Sequence, residues 1–318
     1  MVRPRVVVSR CLGFDRCRYD GSMIQDAIVE SLRPWVEWIP VCPEVEIGLG
    51  VPRAPVRLVR VEGKVRLLQP ATGRDLTEAL QSFADRFLDS LPPVDGFLVK
   101  HRSPSCGRKD ARVYASVEKS PSVGSGPGMF GQAIRQRFPD LPIEDEGRLT
   151  NRAIREHFFT ALFALARLRE ALQTGQMGAL VRFHTEHKFL LMAYNQARLR
   201  ELGRCVANLD RHPPEQVMQR YAAGFRAALS RLPRRPSVVN VLMHSLGYLS
   251  DGLHPAERAY FLDLLAAYRQ GRIPLSTPLG VLRAWVIRFD QAYLAAQSFL
   301  CPFPEELISQ QDSGKGEE

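Results

Sequence analysis

Through the first 150 residues, short apolar runs alternate with stretches whose apolar positions recur at helical spacing. Arg5 to Ser9, Trp38 to Val41 and Phe97 to Lys100 read as β-strands, and Ile24 to Leu32 as a helix. Asp75-Leu76-Thr77-Glu78 reads as a capping box opening a helix that runs to Leu91. Strands alternating with helices predict a mostly parallel sheet with flanking helices. Val56 to Val61 and Val65 to Leu68 flank Glu62-Gly63-Lys64, which predicts a β-hairpin appended to that sheet. The segment 120–128, rich in Ser, Gly and Pro, predicts a mobile surface loop, or a lid over a ligand, ahead of a helix from Met129 to Phe138.

After Asn151 the pattern is helical throughout. Ala153 to Leu172, Ala179 to Leu202, Pro214 to Leu232, Val238 to Leu249, Pro255 to Arg269 and Pro278 to Phe299 each repeat apolar residues at three- and four-residue intervals, with prolines at their starts and ends. The expected architecture is an α/β N-terminal domain over 1–150 and an all-α helical-bundle C-terminal domain over 151–308. The polar tail 309–318 is expected to be disordered.

With 45% apolar and 24% charged residues, the 318-residue chain has the composition of a soluble globular protein. It contains no run of roughly 20 uncharged apolar residues, so no membrane partner is expected. The N-terminus lacks the apolar stretch of a signal peptide, which points to the cytoplasm, where six cysteines are not a disulfide framework. The net charge of +9 is compatible with a polyanionic partner such as nucleic acid. Arginine crowds the stretch from Arg182 to Arg235, and Arg198, Arg204, Arg226 and Arg235 represent a basic run suited to gripping RNA phosphates or, more plainly, a solvated helix face. His184 and His187 lie one turn apart but lack a matched third metal ligand, so a polar helix face is the simpler reading.

Four of the six cysteines sit in three polar loops that follow predicted strands. These are Ser9-Arg10-Cys11-Leu12-Gly13 running on to Cys17-Arg18-Tyr19-Asp20-Gly21, then Cys42-Pro43-Glu44, then Ser103-Pro104-Ser105-Cys106-Gly107. Loops at the carboxyl ends of parallel strands converge on one crevice, so these thiols are expected to meet. No CxxC knuckle of the type favoured by structural zinc is present, whereas single thiols from separate loops suit an iron-sulfur cluster. If only three thiolates reach it, one iron stays open as a Lewis acid with affinity for sulfur. Glu44 falls within reach as a general acid or base, and Lys100, Ser103 and Ser105 could orient a substrate oxygen or a water. The same serines also read as turn formers. Cys205 and Cys301 stand among apolar neighbours and read as buried core thiols. Neither a glycine-rich phosphate loop nor an SGGxDS sequence occurs, so neither NAD nor ATP is expected, and ATP-driven sulfur insertion is disfavoured.

The segments SRCLGFDRCRYDG (9–21), VCPEVEIGLGVPRAP (41–55) and VKHRSPSCG (99–107) resemble DUF523, the family of thiouracil desulfidases. VRFHTEHKFLLMAYNQARLRELG (181–203) resembles the DUF1722 domain, and the combination is similar to desulfidases that return 4-thiouridine in tRNA to uridine. The resemblance implies an oxygen-sensitive [4Fe-4S] cluster held by three cysteines, whose open iron captures the substrate sulfur while water replaces it without net redox change. Carried over residue by residue, it implies Cys11, Cys42 and Cys106 as ligands, one per loop, with Cys17 also on a family cysteine position and able to replace one of them. Glu44 matches the acidic catalytic position, Ser103 a serine near the sulfur, and Lys100 a further polar position. Phe14-Asp15-Arg16 and Ile47 depart from the usual pattern without touching a chemical group. Two alternatives stand beside this reading: the same chemistry on free thiouracil or a thiolated nucleotide, and a non-enzymatic iron-sulfur or zinc RNA-binding sensor.

Overall fold

The structure, a computed structural model, describes residues 2–118, 120–308 and 313, so the tail expected to be disordered lies outside the described residues except for residue 313. The chain divides into two compact units, Met1–Ala166 with Glu306–Glu318, and Arg167–Glu305.

The first unit runs β1 (Arg5–Ser9), α1 (Ala27–Leu32), β2 (Glu37–Val41), α2 (Pro43–Glu46), β3 (Arg57–Val61), β4 (Lys64–Gln69), β5 (Arg74–Asp75), α3 (Thr77–Asp89), β6 (Gly96–Val99), β7 (Ala111–Tyr114), β8 (Ser122–Gly126), α4 (Met129–Arg137) and β9 (Ile143–Asp145). It is followed by α5 (Arg152–Gln173). One sheet, ordered β2-β1-β6-β9, is parallel throughout, with Val7 opposite both Ile39 and Phe97. These strands carry near-continuous apolar runs because helices and the second sheet cover them.

The predicted hairpin forms as β3 and β4, with Leu58 opposite Leu67, but it is not appended to the first sheet. It belongs to a second sheet, ordered β5-β4-β3-β7-β8. The reason is burial: Leu58, Leu67, Ala111 and Val113 point into one core with Val7, Val41 and Phe97 of the first sheet, Leu80 and Leu88 of α3, and Phe130 and Ile134 of α4. Segment 120–128 likewise differs from the expected mobile loop. Most of it is β8, an exposed edge strand paired antiparallel with β7, in which the glycines allow an irregularity of register rather than a break. The expected capping box at Asp75 is absent as such. Asp75 ends β5 and accepts the Thr77 amide at 2.9 Å, and α3 begins at Thr77 with no side-chain bond from its N-cap.

The second unit is entirely helical beyond α5: α6 (Met177–Glu186), α7 (Lys188–Tyr194), α8 (Gln196–Ala207), α9 (Pro214–Ala228), α10 (Arg235–Gly247), α11 (Pro255–Arg269), α12 (Ser276–Arg288) and α13 (Ala292–Ala295). The single helix expected over 179–202 breaks twice. At His187 the ring packs on Phe183 at 3.9 Å and takes its carbonyl at 2.8 Å. At Asn195 the backbone turns extended, and the side chain caps α8 by accepting from the Arg198 amide. Tertiary burial of a polar ring and a local cap override the helical periodicity. No helix among the described residues is long and apolar enough to cross a membrane.

Candidate active site

In the parallel sheet β1 lies between β2 and β6, so the loops leaving the carboxyl ends of all three strands meet. Short bonds stitch them together. The Arg10 amide donates to the Val41 carbonyl at 2.9 Å, joining the loops after β1 and β2. The Lys100 amide donates to Ser9 Oγ at 2.9 Å, joining those after β1 and β6. Cys42 sits at the start of α2, where Pro43 occupies the first turn without leaving an orphan donor.

Backbone bonds tie the loop bearing Cys106 to the start of α4. The amides of Gly128, Met129 and Phe130 at the start of α4 donate to the carbonyls of Gly107, Pro104 and Ser105 at 2.8, 3.1 and 2.8 Å. This approach requires glycine: a Cβ on Gly131 would lie 2.2 Å from the Gly107 oxygen, and one on Gly128 2.5 Å from the Ser105 oxygen.

All four loop cysteines gather here. Cys17 lies beside the thiols of both Cys11 and Cys42, and the Cys42 thiol donates to the Cys17 carbonyl at 3.8 Å. Cys106 lies beside Ser9 and Ser103 and within the electrostatic reach of Cys42 and Glu44. The neighbouring Cys11 thiol, reinforced by burial, pushes the Cys17 thiol up to about 11. The neighbouring Cys17 thiol and burial raise Cys42, and burial raises Cys106. Such thiols stay protonated in water at neutral pH, and a coordinated metal displaces the proton outright.

The donor set, soft thiols brought singly from separate loops with no CxxC knuckle, fits a polynuclear iron-sulfur cluster.

Glu44, in α2, is half-sheltered and fully engaged. Its Oε1 accepts from Ser105 Oγ at 2.8 Å, and its Oε2 accepts from Arg53 Nε at 2.7 Å. Ser105 is completely buried. Ser103 Oγ accepts the amides of Ser105 and Cys106 at 3.2 and 3.0 Å, so it shapes the loop as a turn former and touches Cys106 as well. Lys100 is turned to a carboxylate: its Nζ pairs with Glu146 and bonds to the His101 carbonyl at 3.0 Å.

Arg53 is the residue that the sequence reading missed. Its side chain is 4% exposed and reaches Glu44, the carbonyls of Cys17 and Gly50, and the Cys42 sulfur. A buried pair of this type adds little net stability, yet removing one partner costs about 3–5 kcal/mol. The signal available was the turn Gly48-Leu49-Gly50-Val51-Pro52 just ahead of Arg53, which returns the chain toward Glu44.

In the helical unit, Arg198 and Arg204 lie on α8, Arg226 on α9 and Arg235 at the start of α10. Arg198 pairs with Glu201 at 2.7 Å across a solvent-exposed turn, a weak and salt-screened contact. Arg204 lines a cleft of about 580 Å³ with Arg220, Asn208, His212 and Cys205. Cys205 and Cys301 are not buried core thiols. Cys205 is half-buried at that cleft, and Cys301 is exposed in the turn before Pro302, its thiol donating to the Phe303 carbonyl at 3.6 Å.

The two histidines are structural. His184 Nδ1 meets the Tyr221 hydroxyl at 3.0 Å, while His187 is buried and receives Arg167 Nε at 3.3 Å. Burial, then the Arg167 guanidinium, pushes His187 down to about 3 from 6.5. Burial lowers His184 as well. The unfolded chain therefore binds protons below pH 6.5 that the folded chain refuses, so the stability is fully present above that pH and is lost as pH falls toward 3. Thermal melts of the full chain between about pH 7 and 5 should show the helical transition falling steadily, and less so in His187→Gln; a midpoint flat across that window contradicts the assignment.

The family described as 2-thiouracil desulfurase matches residues 6–146, and the protein of unknown function family DUF1722 matches residues 188–304. YbgA of Escherichia coli (strain K12), described as uncharacterized, is 30% identical over 158 residues, covering 48% of this chain and 90% of its own length. YbbK of Bacillus subtilis (strain 168), also described as uncharacterized, is 30% identical over 138 residues, covering 41% of this chain and 89% of its own. Among solved structures, the [4Fe-4S]-dependent thiouracil desulfidase TudS is similar at 24% identity and a TM-score of 0.36, over 46% of this chain and 93% of that one. With its thiol-lined crevice in the first of these regions, the chain belongs to the 2-thiouracil desulfurase family, joined here to a DUF1722 region.

Proposed function

We propose that the protein removes sulfur from 4-thiouridine in tRNA, returning uridine and releasing sulfide, with residues 1–150 as the catalytic domain and 151–308 gripping the RNA. The observation that carries this reading is the meeting of four thiols with Glu44 at the carboxyl ends of β1, β2 and β6. Cys11, Cys42 and Cys106 would hold a [4Fe-4S] cluster, with Cys17 as the alternate for one of them. Bound there with one iron free of protein ligands, the cluster supplies a Lewis acid with affinity for the thiocarbonyl sulfur.

The chain's own residues handle the proton. Each carboxylate oxygen of Glu44 has a second lone pair, so Oε1 can accept from an incoming water while Ser105 still donates to it. Arg53 keeps the carboxylate from swinging away. The balance is hydrolytic: water contributes the oxygen that replaces sulfur at the ring carbon, and sulfide leaves with the water's hydrogens. Ser103, whose Oγ accepts the Cys106 amide, would stand near the substrate sulfur, and Lys100 would take part only by leaving Glu146.

A base stacked inside tRNA must be turned outward to reach such a crevice, at a cost of a few kcal/mol that phosphate contacts from a second domain offset. If Arg198, Arg204, Arg226 and Arg235 make those contacts, tRNA affinity should fall steeply with salt, and each charge-removing change that strikes a contact should flatten the slope of log affinity against log salt by about one. Four variants with the parental affinity and slope would return this run to a solvated surface.

The family description, which names 2-thiouracil, favours a second reading in which the free base is the substrate. Anaerobic incubation of the cluster-loaded chain with thiolated tRNA and, separately, with free thiouracils, following sulfide release and loss of thiocarbonyl absorbance, distinguishes them. Sulfide from the free bases alone overturns the tRNA reading. An iron-free, zinc-bearing protein that releases no sulfide would favour a sensor.

A further inference from the structure

Arg53 touches three parts of the crevice at once. Nε donates to Glu44 Oε2 at 2.7 Å, Nη1 donates to the carbonyls of Cys17 and Gly50 at 2.9 and 3.0 Å, and Nη2 lies 3.9 Å from the Cys42 sulfur. A guanidinium is rigid and planar, so these contacts fix its position and orientation together. A residue that merely closed the loop needs only Nη1, which ties the Cys17 loop to the turn at Gly50. The remaining donors are directed at the carboxylate and at a thiol. Ser105, on the opposite oxygen of Glu44, completes the grip.

We propose that Arg53 is the positioning residue of this site: it holds the Glu44 carboxylate in register with the Cys42 sulfur, and its N–H donation to that sulfur raises the reduction potential of the group Cys42 binds. The inference rests on the function proposed above. Its first part follows from geometry, because a carboxylate with one anchored oxygen and no second anchor is free to rotate away from the crevice. Its second follows from charge, because hydrogen bonds to ligand sulfurs and a nearby cation stabilise the more negative, reduced form of a cluster. The reaction itself transfers no electrons, so the potential reports the Arg53 contact independently of turnover.

The test compares the full-length parent, Arg53→Met and Arg53→Lys, each reconstituted anaerobically with iron and sulfide. Sulfide release gives kcat and KM on whichever thiolated substrate the parent accepts, and a mediated redox titration gives the potential. Arg53→Met should keep KM within about twofold, lose roughly tenfold to a hundredfold in kcat as misplaced groups do, and titrate at a more negative potential. Arg53→Lys should recover the potential but not kcat, since an ammonium restores charge without the fork.

Parental kcat in Arg53→Met, a loss confined to KM, or an unshifted potential overturns the inference. Should Arg53→Met fail to fold or to load iron, Arg53→Lys decides: parental kcat overturns the inference, and reduced kcat at parental KM supports it. A parent that loads iron yet releases no sulfide from tRNA or free base overturns the proposed function instead, and the potential difference alone then decides for or against Arg53.

Discussion

Replacing Cys11, Cys42 or Cys106 by alanine is expected to abolish the iron-sulfur chromophore or leave it labile, while Cys205→Ala and Cys301→Ala keep it. The three come one from each loop, and under the proposed ligation losing one would leave two of the three thiolates to hold the cluster. Cys205 and Cys301 lie in the helical unit, one lining its cleft and the other exposed in a turn. The measurement is iron and sulfide content with the visible spectrum after anaerobic reconstitution, beside far-ultraviolet circular dichroism to show that each variant folds. Cys17 makes the experiment informative. Its thiol lies beside those of Cys11 and Cys42, the place from which it could substitute for either. Normal iron content in one of the first three variants would therefore strike that residue from the ligand set and promote Cys17.

Glu44→Gln is expected to keep a full cluster and lose turnover by roughly a hundredfold or more, the scale on which a positioned proton-transfer group acts. The substitution fits the site. The glutamine oxygen can accept from Arg53 Nε, and its amide can donate to Ser105 Oγ, a hydroxyl that accepts as readily as it donates. What is lost is the capacity to take a proton, together with the charge facing Arg53. Iron content separates these effects from collapse of the site, and single-turnover sulfide release reads the chemical step. A fully loaded variant with the parental rate would mean that Glu44 only fastens its loop to Arg53.

How far the crevice could be read from the chain depended on how each residue reaches it. Cys11, Cys42 and Cys106 were legible because each lies in the loop that follows an apolar run, and the parallel pairing of those runs brings loop ends together whatever the loops contain. Ser105 was legible as a polar group but not as a partner of Glu44, since that bond joins loops 61 residues apart. Arg53 was missed because an arginine after a Gly and Pro turn looks like solvent-facing charge until that turn is seen to bring it back to Glu44. Lys100 shows the converse, a cation suggestive in sequence that the fold pairs with Glu146.

The chain by itself determined the alternation of strands and helices up to residue 150, the helical character beyond it, and the three thiol loops, because periodicity and local turn chemistry act over a few residues. Tertiary structure alone decided the rest. The hairpin joined a second sheet with β7 because Leu58 and Leu67 share a core with Ala111 and Val113. The Ser- and Gly-rich segment became edge strand β8 because β7 offered it a ladder. The long helix broke at His187 because burying that ring against Phe183 and Arg167 outweighed continuing the helix. In each, packing in the folded chain outweighs local preference.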